Sequence, residues 1–148
     1  MTLLPPFLKL LHLFGLSLAV GAATVKVVLL LRSVKDAGLL PAYFAVARSV
    51  TKLIITGMIL LALSGMGWLF VAYDMTPLLA VKLALFGCVF VLGPIIDNVA
   101  EPKFKRLAPA AGQAASPEFI RARTRYLALE FAATGLFYAI VLLWVLKA

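Results

Sequence analysis

The chain contains one histidine, His12, set in an apolar stretch that reads Lys9-Leu-Leu-His12-Leu-Phe-Gly15. Neutral imidazole is the commonest side-chain metal ligand and can hold haem iron axially. Lys82, in Leu79-Ala-Val-Lys82-Leu-Ala-Leu, is another ionisable residue in apolar surroundings, and its ammonium suits a carboxylate such as a haem propionate. Met66 offers a thioether that could serve as a second axial ligand. A second set comprises Lys26, Asp97 with Asn98 and Glu101, and Glu130. Lys26 paired with Glu130 or Asp97 would neutralise a buried charge. That set reads as an ion-pair layer fixing helix register. With Arg48, Lys52 and the arginines from Arg121 to Arg125 around it, it also reads as a polar vestibule for an anionic ligand.

Other chemistries are excluded by what is missing from the sequence. A single cysteine, Cys88, cannot form an internal disulfide framework, a cysteine-rich zinc site or an iron–sulfur cluster. One histidine cannot supply a bis-histidine haem site within one chain. No Ser/His/Asp set, phosphate loop or CxxC motif occurs. The formal charge of +8 and pI near 10.0 raise the question of nucleic acid, but no basic motif is interleaved with aromatics. The positive charge is better explained by anionic lipids at a cytoplasmic membrane face, and no nucleic-acid partner is expected.

The elements that carry these residues are long and apolar. Of the 148 residues, 64% are hydrophobic and 14% charged, with mean hydropathy +1.09, far from the composition of a soluble domain. A membrane span takes about 20 residues, so the length suits four spans, short connections and no soluble catalytic domain. The N-terminal stretch lacks a basic start and a small-residue cleavage signature, and reads as a retained helix rather than a removed signal peptide. The spacing predicts helices over about 7–31, 42–73, 77–99 and 117–147, in one domain. The first stops at the polar turn from Arg32 to Gly38. The stretch from Ala42 to Lys52 is expected at the interface. Thr76-Pro77 and Ser116-Pro117-Glu118 are cap-plus-proline helix starts, and Gly93-Pro94 is expected to bend the third helix. The small-residue run 107–116 is a linker.

Four helices with short links predict an all-α, integral-membrane, up-down-up-down bundle. Arg32 and Lys35 flank one connection, and Lys103, Lys105, Arg106 and the arginines of the last helix flank another. Asp74 faces the other side, with Lys9 and Lys147 near the termini. The positive-inside rule then makes both basic connections cytoplasmic and puts both termini outside, the arrangement of a multi-pass protein of the bacterial inner membrane. Antiparallel bookkeeping sets His12 and Lys82 at nearly the same depth. Three helix faces follow helical spacing: His12, Gly15, Ala19, Ala22 and Lys26; Lys82, Phe86, Val89 or Phe90, Gly93 and Asp97; and Gly57, Leu61, Gly65 and Trp68. Glycine-notched faces pack closely on helices or flat ligands, and His12 itself reads equally as an interhelical hydrogen-bonding contact.

The helix-one histidine, the early helix-three lysine and the basic Lys103-Phe-Lys105-Arg106-Leu stretch resemble a superfamily of small bacterial four-helix membrane proteins. It includes HemJ-type protoporphyrinogen oxidases, CopD-type copper-resistance membrane domains and uncharacterised hydrophobic relatives. The resemblance covers the overall layout and short pieces of two helices, and implies haem-associated roles for His12 and Lys82. HemJ-type sequences carry a further histidine in helix three, around Phe90 of this chain. The leading expectation is therefore a membrane protein holding haem b or another tetrapyrrole near His12 and Lys82, with Met66 as a second ligand, and supporting a redox step. The alternatives are a non-enzymatic accessory subunit of a larger membrane complex and a small transporter that would need a homo-oligomer to build its pathway.

Overall fold

The computed structural model describes residues 3–71, 75–110 and 113–146. Among these residues all regular structure is helical, with no strand. Helix α1 spans Leu4–Lys35, α2 Leu40–Val71, α3 Pro77–Ile95, α4 Glu101–Arg106 and α5 Pro117–Val145. A π turn over Ile96–Ala100 joins α3 to α4, so the two form one rod from Pro77 to Arg106. Four helical units of 29 to 35 residues result, each long and apolar enough to cross a membrane.

The starts and stops follow local chemistry. Thr76 Oγ1 accepts the Leu79 N–H at 3.2 Å, and Ser116 Oγ accepts the Phe119 N–H at 3.1 Å. Each caps a helix whose first residue is proline, where a missing N–H costs nothing. Asp36 ends α1 and accepts the Gly38 N–H at 2.9 Å, closing the short 3₁₀ turn Ala37–Leu39 before α2. Helix α1 therefore extends beyond the expected 7–31, and the turn is tighter than its polar sequence suggested. Pro94 lies inside α3 without ending it. It has no N–H to offer the Phe90 carbonyl, and the chain returns to regular helix through the π turn rather than stopping near residue 99. The residues expected at two helix ends and one loop, Tyr73, Asp74 and Lys147, lie outside the described residues.

Helices α1 and α2 pack at backbone distance. A Cβ added to Gly57 would stand 2.5 Å from the Ala19 nitrogen and 2.7 Å from the Gly15 carbonyl oxygen. One added to Gly15 would stand 2.9 Å from the Gly57 oxygen. Leu8 fits against Gly67 at the far end of the pair. The expected notched face of α2 is thus correct at Gly57 and Leu61 and turns after them. Gly65 has open space around it, and Ser64 and Gly67 complete the contact with α1.

The core has two parts. Near the α1–α2 and α4–α5 connections, Leu30, Leu40, Tyr43, Ala47, Ile96, Phe104, Phe119 and Tyr126 form an aromatic-rich cluster. The Phe104 ring stacks on Phe119 and Tyr126 with centroids 5.4 and 5.1 Å apart. Both basic connections therefore lie at the same end, the basic end. Further along, Ala19, Ala23, Met58, Leu61, Val89 and Phe137 form a smaller cluster. Toward the opposite end, α3 has no buried residue before Val89 and α5 has none after Phe137 among the described residues, while α1 and α2 stay packed.

Candidate functional site

The aromatic-rich cluster and the smaller apolar cluster meet around Lys26. Helical spacing from Ala19 and Ala22 carries Lys26 onto the interior face of α1, where only 2% of it is exposed. Its Nζ lies 2.8 Å from Glu130 Oε1, 3.1 Å from Glu101 Oε2 and 3.2 Å from Asp97 Oδ1. An ammonium has three N–H donors, and each has a different carboxylate within reach. Thr51 Oγ1 donates to Asp97 Oδ1 at 3.4 Å. Tyr43 and Tyr126 share a hydroxyl–hydroxyl bond of 2.6 Å, and the Tyr126 O–H donates to Glu101 Oε2 at 3.0 Å. Since the Tyr126 proton goes to Glu101, Tyr43 is the donor in the tyrosine pair. The Lys26 ammonium also sits 5.8 Å from the centroid of the Tyr126 ring.

The sequence named Glu130 or Asp97 as the partner of Lys26. The structure brings both together and adds Glu101, Tyr43 and Tyr126. Glu101 enters because the rod continues through the π turn, which keeps it inside the bundle rather than in a loop. The two tyrosines carried no sequence signal beyond lying in apolar stretches next to basic residues. At full ionisation this level carries three negative charges and one positive.

The other polar level lies toward the opposite end. The His12 Nδ1 is 2.9 Å from Ser64 Oγ, and Ser64 is fully buried. The one hydroxyl proton of Ser64 goes to the Leu60 carbonyl at 2.7 Å, shared with that of Leu61 at 3.1 Å. With that proton on a carbonyl, Ser64 Oγ accepts from Nδ1–H, the tautomer that leaves the lone pair on Nε2. Lys82 is partly buried in the second turn of α3. Met66 is half exposed and stands two residues beyond Ser64, about 200° around α2 from the side that meets His12. The structure thus joins His12 to Ser64 and puts Met66 on a different face.

Among the described residues no three His, Cys, Asp or Glu side chains converge as a metal site. A cavity of about 40 Å³ adjoins the Lys26 level, lined by Lys26, Asp97, Glu130, Gly93 and Thr134 among others. An open groove of about 280 Å³ runs between α1 and α5, walled by Thr24, Val27, Val28, Phe131, Thr134 and Tyr138. Comparison with known proteins adds no relative: no family model, curated protein or solved structure matches this chain.

Proposed function

We propose that the chain is a multi-pass protein of a bacterial inner membrane, an up-down-up-down bundle of four spans with its basic end toward the cytoplasm. The length and hydropathy of the four helical units support this, and so does the gathering of both basic connections at one end. Anionic lipid headgroups are then the partners of that end.

We further propose that the outer half binds haem b or a related tetrapyrrole at His12. The observation that carries this reading is the Ser64 bond to Nδ1, which holds the ring and leaves Nε2 as the ligating atom. Holding a ligand histidine through its second nitrogen is how protein sites fix ring orientation and tautomer. Lys82 supplies a cation for a propionate. Toward that end α3 and α5 lack buried residues while α1 and α2 stay paired, so the faces around Lys82 are open to a flat ligand. The donor set fits a group held by one imidazole and one ammonium. It does not fit His/Met ligation from a single chain, because Met66 faces elsewhere. A bound haem supplies one-electron chemistry, and the chain's own part is to hold the ring edge and keep water off the ligating nitrogen.

The test is an optical spectrum of the purified protein, as isolated and after haem addition. The expected result is a Soret band that His12→Ala abolishes and Met66→Ala preserves. No Soret band even with added haem refutes the proposal. The His12–Ser64 bond equally favours a second reading, an accessory subunit in which His12 only ties α1 to α2. Stoichiometric partners on purification, with His12→Ala spectrally silent, would select it.

A further inference from the structure

The Lys26 level holds more negative charge than its own cation balances. Three carboxylates within 3.2 Å of one ammonium leave two formal negative charges in surplus, at a depth where charge is costly to strand. Arg48, Arg121 and Arg125 are exposed, and none of them is paired with these carboxylates. An acidic surplus alone does not make a site. A second observation does the rest: Thr134 is 8% exposed, and its hydroxyl Oγ1 is fully buried without a hydrogen-bond partner. Threonines in helices ordinarily return that proton to the preceding turn, as Thr24, Thr56 and Thr124 do here. Thr134 lines the same 40 Å³ cavity as Glu130 and Asp97. Glu130 Oε1, also in that wall, is engaged only through its ion pair to Lys26.

The cavity is lined mostly by apolar side chains, with Lys26, Asp97, Glu130 and Thr134 as its polar wall, and it exceeds the roughly 10–15 Å³ that one water needs. Its wall includes Gly93 and Ile96, on either side of Pro94, where the rod leaves regular α-helical bonding. Among the described residues no three His, Cys, Asp or Glu side chains are placed to hold one metal ion together, the carboxylates here being gathered on the Lys26 ammonium. Oxygen donors of mixed type, two carboxylates and a hydroxyl, suit a small hard monovalent ion.

We propose that this cavity is a binding site for a monovalent cation of sodium's size, held by Glu130, Asp97 and Thr134 Oγ1 beside the fixed Lys26 ammonium. The ion reduces the surplus charge and completes the unpartnered hydroxyl. Thr134 also borders the open groove between α1 and α5, so one side chain separates the site from the bundle surface. The site is distinct from the His12 level and stands whether or not haem binds there.

The experiment compares purified full-length protein in sodium, potassium and choline chloride at equal ionic strength, by thermal unfolding and by equilibrium binding of radioactive sodium. Sodium should raise the unfolding midpoint saturably, choline should not, and radioactive sodium should bind with a stoichiometry near one. Thr134→Val should weaken the apparent sodium affinity about tenfold while leaving helical content unchanged. Equal midpoints in all three salts, or no saturable sodium binding to the wild type, would mean that the cavity holds water only and would overturn the proposal. Wild-type affinity retained in Thr134→Val would overturn it as well. Should Thr134→Val fail to fold, the binding measurement on the wild type decides by itself.

Discussion

Replacing Lys26 with methionine keeps the unbranched side chain up to the ε position and removes the charged nitrogen, so the packing against Tyr126 survives while three carboxylates lose their common partner. Removing one member of a buried ion pair typically costs 3–5 kcal/mol, because the charge left behind is unpaired. Here the figure falls at the lower end. The Asp97 and Glu101 side chains keep 27% and 19% exposure and can recruit water, whereas Glu130 at 5% cannot. The expected destabilisation of Lys26→Met is therefore about 3 kcal/mol, mostly from Glu130. Glu130→Gln alone leaves Lys26 with two carboxylates and should cost about 1 kcal/mol. The two changes should not add. With Lys26 already gone, Glu130→Gln removes the stranded charge, and the double variant should be about 2 kcal/mol destabilised rather than 4. The measurement is unfolding in mixed anionic and neutral detergent micelles, followed by the fluorescence of Trp68 and Trp144 at constant ionic strength. Additive costs would mean that Glu130 is not held by Lys26.

Gly57→Ala should destabilise the protein by about 1–3 kcal/mol, since the new Cβ meets the backbone of Ala19 and Gly15, which cannot step aside. Gly65→Ala on the same helix meets nothing within 4 Å and should leave the unfolding midpoint unchanged or slightly raised. Tyr126→Phe keeps the ring stack on Phe104 but takes the donor from Glu101 and the acceptor from Tyr43. It should cost about 1–3 kcal/mol in the same assay, and more than Tyr43→Phe, which leaves the Tyr126–Glu101 bond intact. Ser116→Ala removes the cap of α5 and should cost about 1 kcal/mol, visible as greater amide exchange in the first turn after Pro117.

Much of the fold was legible because its causes are local. The cap at Ser116 and the proline after it act within one turn, and the structure starts α5 there. Four apolar stretches long enough to span a bilayer follow from composition alone. The third unit was legible in kind but not in extent: Pro94 and the polar residues after it resemble a stop, yet a π turn absorbs the missing bond and carries the helix on to Arg106. That extension brings Glu101 to Lys26. At the candidate site, the spacing from Ala19 through Ala22 to Lys26 marked an interior face, and the sequence named two of its three acidic partners. It gave no sign of the tyrosine pair, whose hydroxyls meet only because α2 and α5 both pack on the same aromatic cluster.

Local sequence was enough to set which segments are helical, where most of them begin, and that the few charges fall into a basic rim and two polar levels. These are properties of composition and of spacing along one helix. Which charges meet was settled by the packing of one helix on another. A helix turns by about 100° per residue, so a partner's identity depends on the rotation and register of a second helix, and both are set by packing. The approach of Gly15 to Gly57 fixes α1 on α2, and with it the contact of His12 with Ser64 rather than Met66. The stacking around Phe104 fixes the α4 and α5 ends, and with them the closing of three carboxylates on Lys26.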